Sequence, residues 1–566
     1  MKLNSLTLSL GLFCLPLAAV AQDEMKETTL KEVVVNGTSK STQNIEKQCV
    51  SYTLLDKDFI EKNDVRDLQD LGQYVPSLEI PQYGSRLTSS MYIRGIGSRI
   101  NAPSVGVYYE GIPLLFKTAL NRHFYDINHM VVLRGPQGTL YGLNSEGGLV
   151  VLNGANPIDA VERKAPNFTA KVGFENHGGN NLECSFLFPI TSNLAVSTSA
   201  FYHKTNGFQR NSNLKERADD LKEGGAKVKI AWNPSKKFRL SLFGDIQRVS
   251  QHGFCYGVVK PVNGNIYGDS IAEPSTNMLG SYSRTTFDAG LNAAYNSGRW
   301  RLQSTTSFQY LNDDMTMDQD NTTAELMHLN QHQRGKAITE ELNLKCNISN
   351  KWLTSSGLYL AHQWLTAFAP VYFDKAITAP LADTIKAKMS GAMPPAMAKA
   401  ISVDIKMQNP GEYRTPQMNL GVFHETHYDF TKDFSATIGL RYDFSRQDLK
   451  FATSVLTDAN IKVATTEMAR KITSSYESKF KHTYNQVLPK LSLKYKDYYF
   501  TVAKGYRAGG YNFQMFADIL QGELQKTMKD KVADLRKGDI TFEHDAAAYA
   551  EVEDRLSYAP ELSWVY

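Results

Sequence analysis

Residues 131–148 read VVLRGPQGTLYGLNSEGG, a strand-like run that dissolves into Gly135, Gly138, Gly142, Gly147 and Gly148. Glycines that follow a strand can cradle a phosphate on bare backbone N–H groups. A phosphate loop must also end in Gly-Lys-Ser/Thr, and a dinucleotide site needs G-x-G-x-x-G opening a helix. Neither is present, because the chain after Gly142 runs into another strand-like stretch, GGLVVLNG at 147–154. MYIRGIGSR at 91–99, with Arg94, Gly95 and Arg99, likewise leads into no helix-forming run. The glycines therefore do not read as a nucleotide site, and whether they instead serve close backbone packing stays open at this point.

Other chemistries find little support. His328 and His332 stand four apart in what reads as a long connection, where a helical turn would align them, although chance placement in a solvated loop is the commoner outcome. The histidines of HETH at 424–427 fall on opposite faces of a strand, so they make no metal site. Cys49, Cys184, Cys255 and Cys346 are far apart with no CxxC spacing, and their pairing is not deducible. No nucleophile, base and orienting group stand together. Neither enzyme activity, nor a cofactor, nor a resident metal is expected. A net charge of +4 over 566 residues gives no concentrated basic face for nucleic acid.

The elements that hold these residues divide the chain. MKLNSLTLSLGLFCLPLAAVAQ has a charged start, an apolar run and Ala19-Val20-Ala21, which predicts a signal peptide over 1–21. No later apolar run is long enough for a membrane-spanning helix. From about Phe168, segments alternate with period two: LAVSTSAFYHK (194–204), KFRLSLFGDIQ (237–247), WRLQSTTSFQYL (300–311) and FSATIGLRYDFS (434–445). Short turns at 189–193, 233–237, 296–299, 347–351, 431–433 and 496–498 alternate with long connections near 205–224, 250–280, 312–333, 366–412, 446–484 and 509–560. Short turns on one side and long loops on the other mark an antiparallel transmembrane β-barrel of the outer membrane. The expected fold is mainly β, with a distinct segment ahead of the barrel.

That segment carries a specific resemblance. LKEVVV, DLGQYVPSLEI, MYIRGIGSR, GVYYEGIPL and DINHMVVLRGPQGTLYGLNSEGGLVVLNGANP follow one another before the barrel, and GYRAGGYN (505–512) lies within it. In this order they resemble TonB-dependent outer-membrane receptors of the iron-complex type. The resemblance implies a tail at 22–45 with a TonB box, an α+β plug at 46–160 inside the lumen, and a barrel at 161–566. It further implies that Leu30, Lys31, Glu32, Val33, Val34 and Val35 bind TonB, energised by ExbB/ExbD, by adding a strand to its sheet edge. Arg94 and Arg134 are then candidates to pair with barrel carboxylates, Glu341 first among them, or else to order the plug's own turns. Arg99 and the glycines belong to the same plug motifs. Leu143, where the pattern commonly has arginine, is the departure that bears on how the plug seats; Glu110 and Glu146 also depart from it.

As cargo, the resemblance implies a ferric siderophore-like ligand. Cobalamin, haem and glycan remain alternatives, the last disfavoured by the short tail and haem by the absence of its motif boxes. A passive porin or adhesin is the competing class, and it has no use for the plug motifs or LKEVVV. Against about twenty-two strands in such transporters, about fourteen candidates are legible here. The expectation is a chain that ends mid-barrel; the alternative is a complete smaller barrel closed by Tyr566.

Overall fold

The computed structural model describes residues 40–511 apart from 42, 44, 100, 101 and 392, together with 538–542, 557–558 and 561–565. The expected signal peptide and Leu30–Val35 lie outside the described residues.

Two bodies follow in sequence. The first begins with β1 (Ser51–Asp56), α1 (Lys57–Lys62) and α2 (Leu68–Tyr74), then β2 (Leu78–Glu79), β3 (Tyr92–Ile93) and β4 (Ile96–Gly97). It continues through β5 (Val105–Tyr109), β6 (Ile112–Pro113), β7 (Ile127–Arg134), α3 (Gly138–Tyr141), β8 (Gly148–Gly154) and α4 (Ile158–Arg163). Asp56 and Asp67 start the two early helices by accepting from the N–H of Phe59 and Asp70, a local signal any short polar side chain supplies. The main sheet has the order β1-β7-β8-β5-β6, with β5 and β8 parallel. Leu68, Leu71, Ile93, Val107, Val132 and Val150 fill an apolar core beneath it.

The second body is one large antiparallel sheet. It opens with β9 (Asn167–Glu175), β10 (Gly179–Pro189), β11 (Leu194–Thr205), β12 (Leu221–Trp232) and β13 (Phe238–Gly253). Next come β14 (Gly280–Asn296), β15 (Trp300–Asp318), β16 (Met327–Ser349) and β17 (Trp352–Phe368). A long insertion then holds β18 (Val371–Phe373), α5 (Lys375–Ser390), α6 (Pro395–Ala398), β19 (Ile401–Asn409) and β20 (Gly411–Arg414). The wall resumes with β21 (Gln417–Asp429), β22 (Phe434–Val463), β23 (Thr466–Tyr495) and β24 (Tyr498–Arg507), and Glu561–Val565 pairs with β24. Leaving out the insertion and the short Ile540–Phe542, fourteen strands of this sheet form the wall among the described residues.

The wall is inverted relative to the first body. On β21 and β22, Val422 and Ile438 point outward at 55% and 57% exposure, while Arg441 and Asp443 point inward at 1% and 0%. Apolar outside and polar inside suits lipid on one face and a filled lumen on the other. Aromatic side chains gather at the short turns, as in Tyr295 against Trp300 and Trp352 against Tyr428. Among the described residues no helix is long and apolar enough to cross a membrane.

Two sequence expectations need correction. The connections near 312–333 and 446–484 are largely strand: β15 and β16 leave only 319–326 between them, and β22 pairs with β23 from Phe434↔Tyr495 to Val463↔Thr466. Thirty residues extend about 100 Å, far beyond a hydrocarbon core of about 30 Å. Outside lipid the ladder still satisfies backbone polar groups, so it continues where alternation is no longer demanded. His328 and His332 therefore lie on β16, not in a loop; they face Asp374 and Asp314 at 2.9 and 2.6 Å. The insertion is partly helical as its sequence suggests, with Ile385 and Met389 of α5 packed on Ile401, Ile405, Val455 and Phe480.

Candidate functional site between plug and wall

The glycine-rich segment folds against the wall. After β7 the chain turns at Gly135, makes the single helical turn α3 and leaves it through Gly142 at φ +71°. A Cβ on Gly138 would sit 2.4 Å from the Lys504 carbonyl of β24, and one on Gly142 would lie 2.6 Å from the Arg441 guanidinium. Only residues without side chains allow this approach. Thr139 Oγ1 donates to the Leu488 carbonyl at 3.3 Å, and the Asn144 N–H donates to the Tyr506 carbonyl at 3.2 Å. Leu143 bridges Tyr506 in parallel register, so GYRAGG is the docking strip for GPQGTLYGL. Gly147 and Gly148 pack within the first body, against Ile96 and Leu133.

On the opposite side the contact is ionic. Arg86 reaches Asp67 at 2.7 Å and Glu223 of β12 at 2.8 Å. Arg122 faces Asp245 of β13 at 3.5 Å and Asp288 of β14 at 3.0 Å, and the Tyr109 hydroxyl donates to Asp245 at 2.6 Å. Glu110 sits between Lys229 at 2.7 Å and Lys227 at 3.4 Å of β12. Burial pushes the Glu110 carboxyl up, but these two ammonium groups outweigh it and hold its pKa below the usual range. His123, stacked on Phe201 at 4.1 Å, lies between Glu223 (3.0 Å) and Glu183 (3.6 Å). Burial alone would lower its pKa; the two carboxylates raise it.

The N-terminal edge of the first body is fastened separately. Lys40 Nζ meets Glu341 at 2.5 Å and lies over the rings of Tyr108, Tyr141 and Tyr359 at 4.9, 4.5 and 5.8 Å. Burial lowers its pKa, and Glu341 offsets only part of that. Lys345 donates to the Ser41 carbonyl, and Gln43 meets His427 two residues before β21 ends at a short turn. The chain thus enters the lumen at the short-turn end. At the other end Tyr83, Arg99 and Lys117 lie near Tyr256, whose hydroxyl donates to the Tyr83 carbonyl.

Several residues singled out by sequence sit elsewhere than expected. Arg134 does not reach a barrel carboxylate; it donates to Ser51 Oγ, Tyr52 O and Pro76 O in its own body. Arg94 is exposed in the β3–β4 turn at φ +53°, beside Gly95, and Arg99 stacks on Tyr83. Glu341 does face the plug, but its partner is Lys40. Lys40, Arg86, Arg122 and His123 were missed and Glu110 was noted only as a departure from the family pattern, because each is a lone polar residue whose partner on the wall lies far along the chain. No metal cluster was expected either, yet the ligand atoms of His123, His203 and Glu223 lie within 4.8 Å of one another. All four cysteines in the described region are free.

Residues 44–149 match the TonB-dependent receptor plug domain, and residues 190–529 match the TonB-dependent receptor-like β-barrel. The chain belongs to the TonB-dependent receptor family. The first body of this receptor is its plug, the second its outer-membrane barrel. It is 32% identical over 154 residues to a pesticin receptor of Yersinia pestis, covering 26% of this chain and 22% of that one. It is 22% identical over 289 residues to a ferrioxamine receptor of Yersinia enterocolitica, covering 48% and 38%. A vitamin B12 transporter of Vibrio vulnificus matches at 27% over 203 residues, 34% and 31%. The fold is similar to the ferric yersiniabactin uptake receptor FyuA of Yersinia pestis, with TM-score 0.64 at 18% identity over 82% of this chain and 65% of that one. It is also similar to the siderophore receptor PiuA of Acinetobacter baumannii, with TM-score 0.59 at 13% identity over 84% and 67%. The chain spans less than two fifths of the length of these curated relatives.

Proposed function

We propose that the receptor imports an anionic iron complex of the ferric siderophore class, driven by TonB acting on Leu30–Val35. The observation that carries this reading is the polar seat of the plug. Buried ion pairs to the wall can be exchanged for water one by one, whereas an apolar seat would have to be exposed all at once. Lys40 stands at the short-turn end, only a few residues after Val35. A pull on a strand added at Leu30–Val35 therefore reaches the Lys40–Glu341 pair before any other plug contact among the described residues.

The ligand class rests on the opposite end. Arg99 and Lys117 lie there with Tyr83 and Tyr256, and burial with the neighbouring Arg507 and Arg99 pushes the Lys117 ammonium down to about 8. Crowded cations beside phenol rings suit a flat anionic chelate more than a neutral corrinoid. Some relatives carry ferrioxamine and yersiniabactin in their names, so these are the first probes. Cells carrying the receptor as their sole uptake route should accumulate radioiron from ferrioxamine or ferric yersiniabactin, and deletion of residues 30–35 should abolish accumulation while leaving surface binding. Cyanocobalamin uptake without iron uptake would replace the ligand class. Uptake that survives the deletion would replace the mechanism with passive passage.

A further inference from the structure

We propose that His123, His203 and Glu223 form a divalent transition-metal site of the zinc type that pins the plug to the barrel wall. His123 comes from the plug, His203 from β11 and Glu223 from β12. Each imidazole turns its Nδ1 to Glu223 Oε1, both at 3.0 Å. Donors on a tetrahedral zinc, with bonds of about 2.0 Å, stand about 3.3 Å apart. Two of the three edges of such a face are therefore already near that length, and all three ligand atoms lie within 4.8 Å of one another.

What lies behind the imidazoles is the stronger argument. His123 turns its Nε2 to Glu183 at 3.6 Å, and His203 turns its Nε2 to Glu175 at 3.3 Å. A metal-bound histidine characteristically gives its second ring N–H to a carboxylate, which fixes the tautomer and makes the ligating nitrogen more basic. Here His203 Nε2 lies within hydrogen-bonding reach of Glu175, while His123 Nε2 is buried without a hydrogen bond, with Glu183 the nearest carboxylate at 3.6 Å. Glu223 also has an oxygen in reserve: Oε1 takes the Arg86 guanidinium, while Oε2 is buried with no hydrogen-bond partner. Turning the carboxylate gives one oxygen to Arg86 and the other to a cation.

Charge points the same way. Around the two imidazoles five carboxylates (Asp64, Asp67, Glu175, Glu183 and Glu223) meet three cationic side chains (Arg66, Arg86 and Lys171). Asp70, which accepts from the Arg66 N–H, adds to the same excess of carboxylates over cationic side chains, and an excess of that sign favours a bound cation. A cavity of about 70 Å³ between plug and wall, lined by Glu183, Lys171 and Asp126, borders the site. Only His123 belongs to the plug, so the metal would bridge the two bodies and would have to be released or carried when the plug moves.

The test uses the full receptor extracted from outer membranes and stripped with a chelator, with cobalt(II) as a spectroscopic probe. One Co²⁺ per chain should bind with the visible bands of a low-coordinate nitrogen/oxygen site, and one Zn²⁺ should displace it. His123→Gln and His203→Gln should each abolish the bands, while His332→Gln leaves them unchanged. Glu183→Gln and Glu175→Gln should weaken binding about tenfold to a hundredfold, as loss of an outer carboxylate partner does. Retained heat-modifiable migration shows that each variant is folded. Equal uptake by wild type and His203→Gln would overturn the proposal. So would no uptake by wild type, which would mean that protonated imidazoles carry the charge alone.

Discussion

The two sides of the plug are held by different physics. Against β21–β24 the seat is mainly steric: Gly138 lets backbone approach backbone, Gly142 makes room for the Arg441 guanidinium, Thr139 and Asn144 add hydrogen bonds to carbonyls, and the charge contact of Glu146 with Arg507 is a loose 3.9 Å. Against β12–β14 it is electrostatic, with Arg86, Glu110 and Arg122 each facing opposite charge on the wall. A steric seat tolerates no added atom but is indifferent to charge. An ionic seat tolerates changes of shape but leaves a buried charge uncompensated when one partner is lost. The difference teaches how a plug can be held firmly and still be removable: one side registers it, the other releases it in steps.

The comparison can be broken most severely on the ionic side. Arg122→Ala leaves Asp245 and Asp288 buried without their counter-charge, and should lower plug stability by about 3–5 kcal/mol, read by thermal melting of the extracted receptor. Gly138→Val forces a side chain toward the Lys504 carbonyl and should cost about 1–3 kcal/mol. Because its defect is steric, that cost should be independent of pH, whereas the ionic seat should not be. Glu110 has a depressed pKa in the folded receptor, so its contribution is fully present above its unfolded value of about 4.3. It is lost as pH falls through the lower folded value. Wild type should therefore lose plug stability in acid, and Glu110→Gln should flatten that part of the profile.

Smaller effects sharpen the comparison. Lys40→Met removes the pair with Glu341 and should cost about 2 kcal/mol, read as faster leakage of a bulky antibiotic through the receptor. Binding of an anionic iron complex should weaken as pH rises through about 8, because Lys117 is charged below that value and neutral above it. Lys117→Met should remove that dependence. Arg94→Ala, at an exposed turn, should change stability by no more than about 0.5 kcal/mol. A large loss there would mean that Arg94 supports the seat after all.

Strand starts were legible in the sequence because each follows a short turn rich in Asn, Ser, Gly or Lys; β11, β13, β15 and β22 begin within a residue of expectation. Strand ends were not. Past the lipid boundary one face of β22 still packs Leu449, Phe451, Val455 and Ile461 under the insertion, but on β23 KITSSYESKFKHTYNQ (471–486) gives that core only Ile472 and Phe480 as buried residues, too few to make an apolar period. The glycine motif was legible as close packing, but its partner on β24 lies more than 360 residues away.

By itself the sequence determined the barrel, through alternation that lipid demands, and the plug, through its ordered glycine and RG motifs. Only the tertiary structure decided which charges meet. Arg134 turned inward to its own carbonyls while Lys40 took Glu341, and His123 came to rest between Glu183 and Glu223. The reason is physical: period and turn chemistry are local properties of the chain. A buried ion pair depends on two residues brought together by every element between them, and nothing near either one in sequence records the meeting.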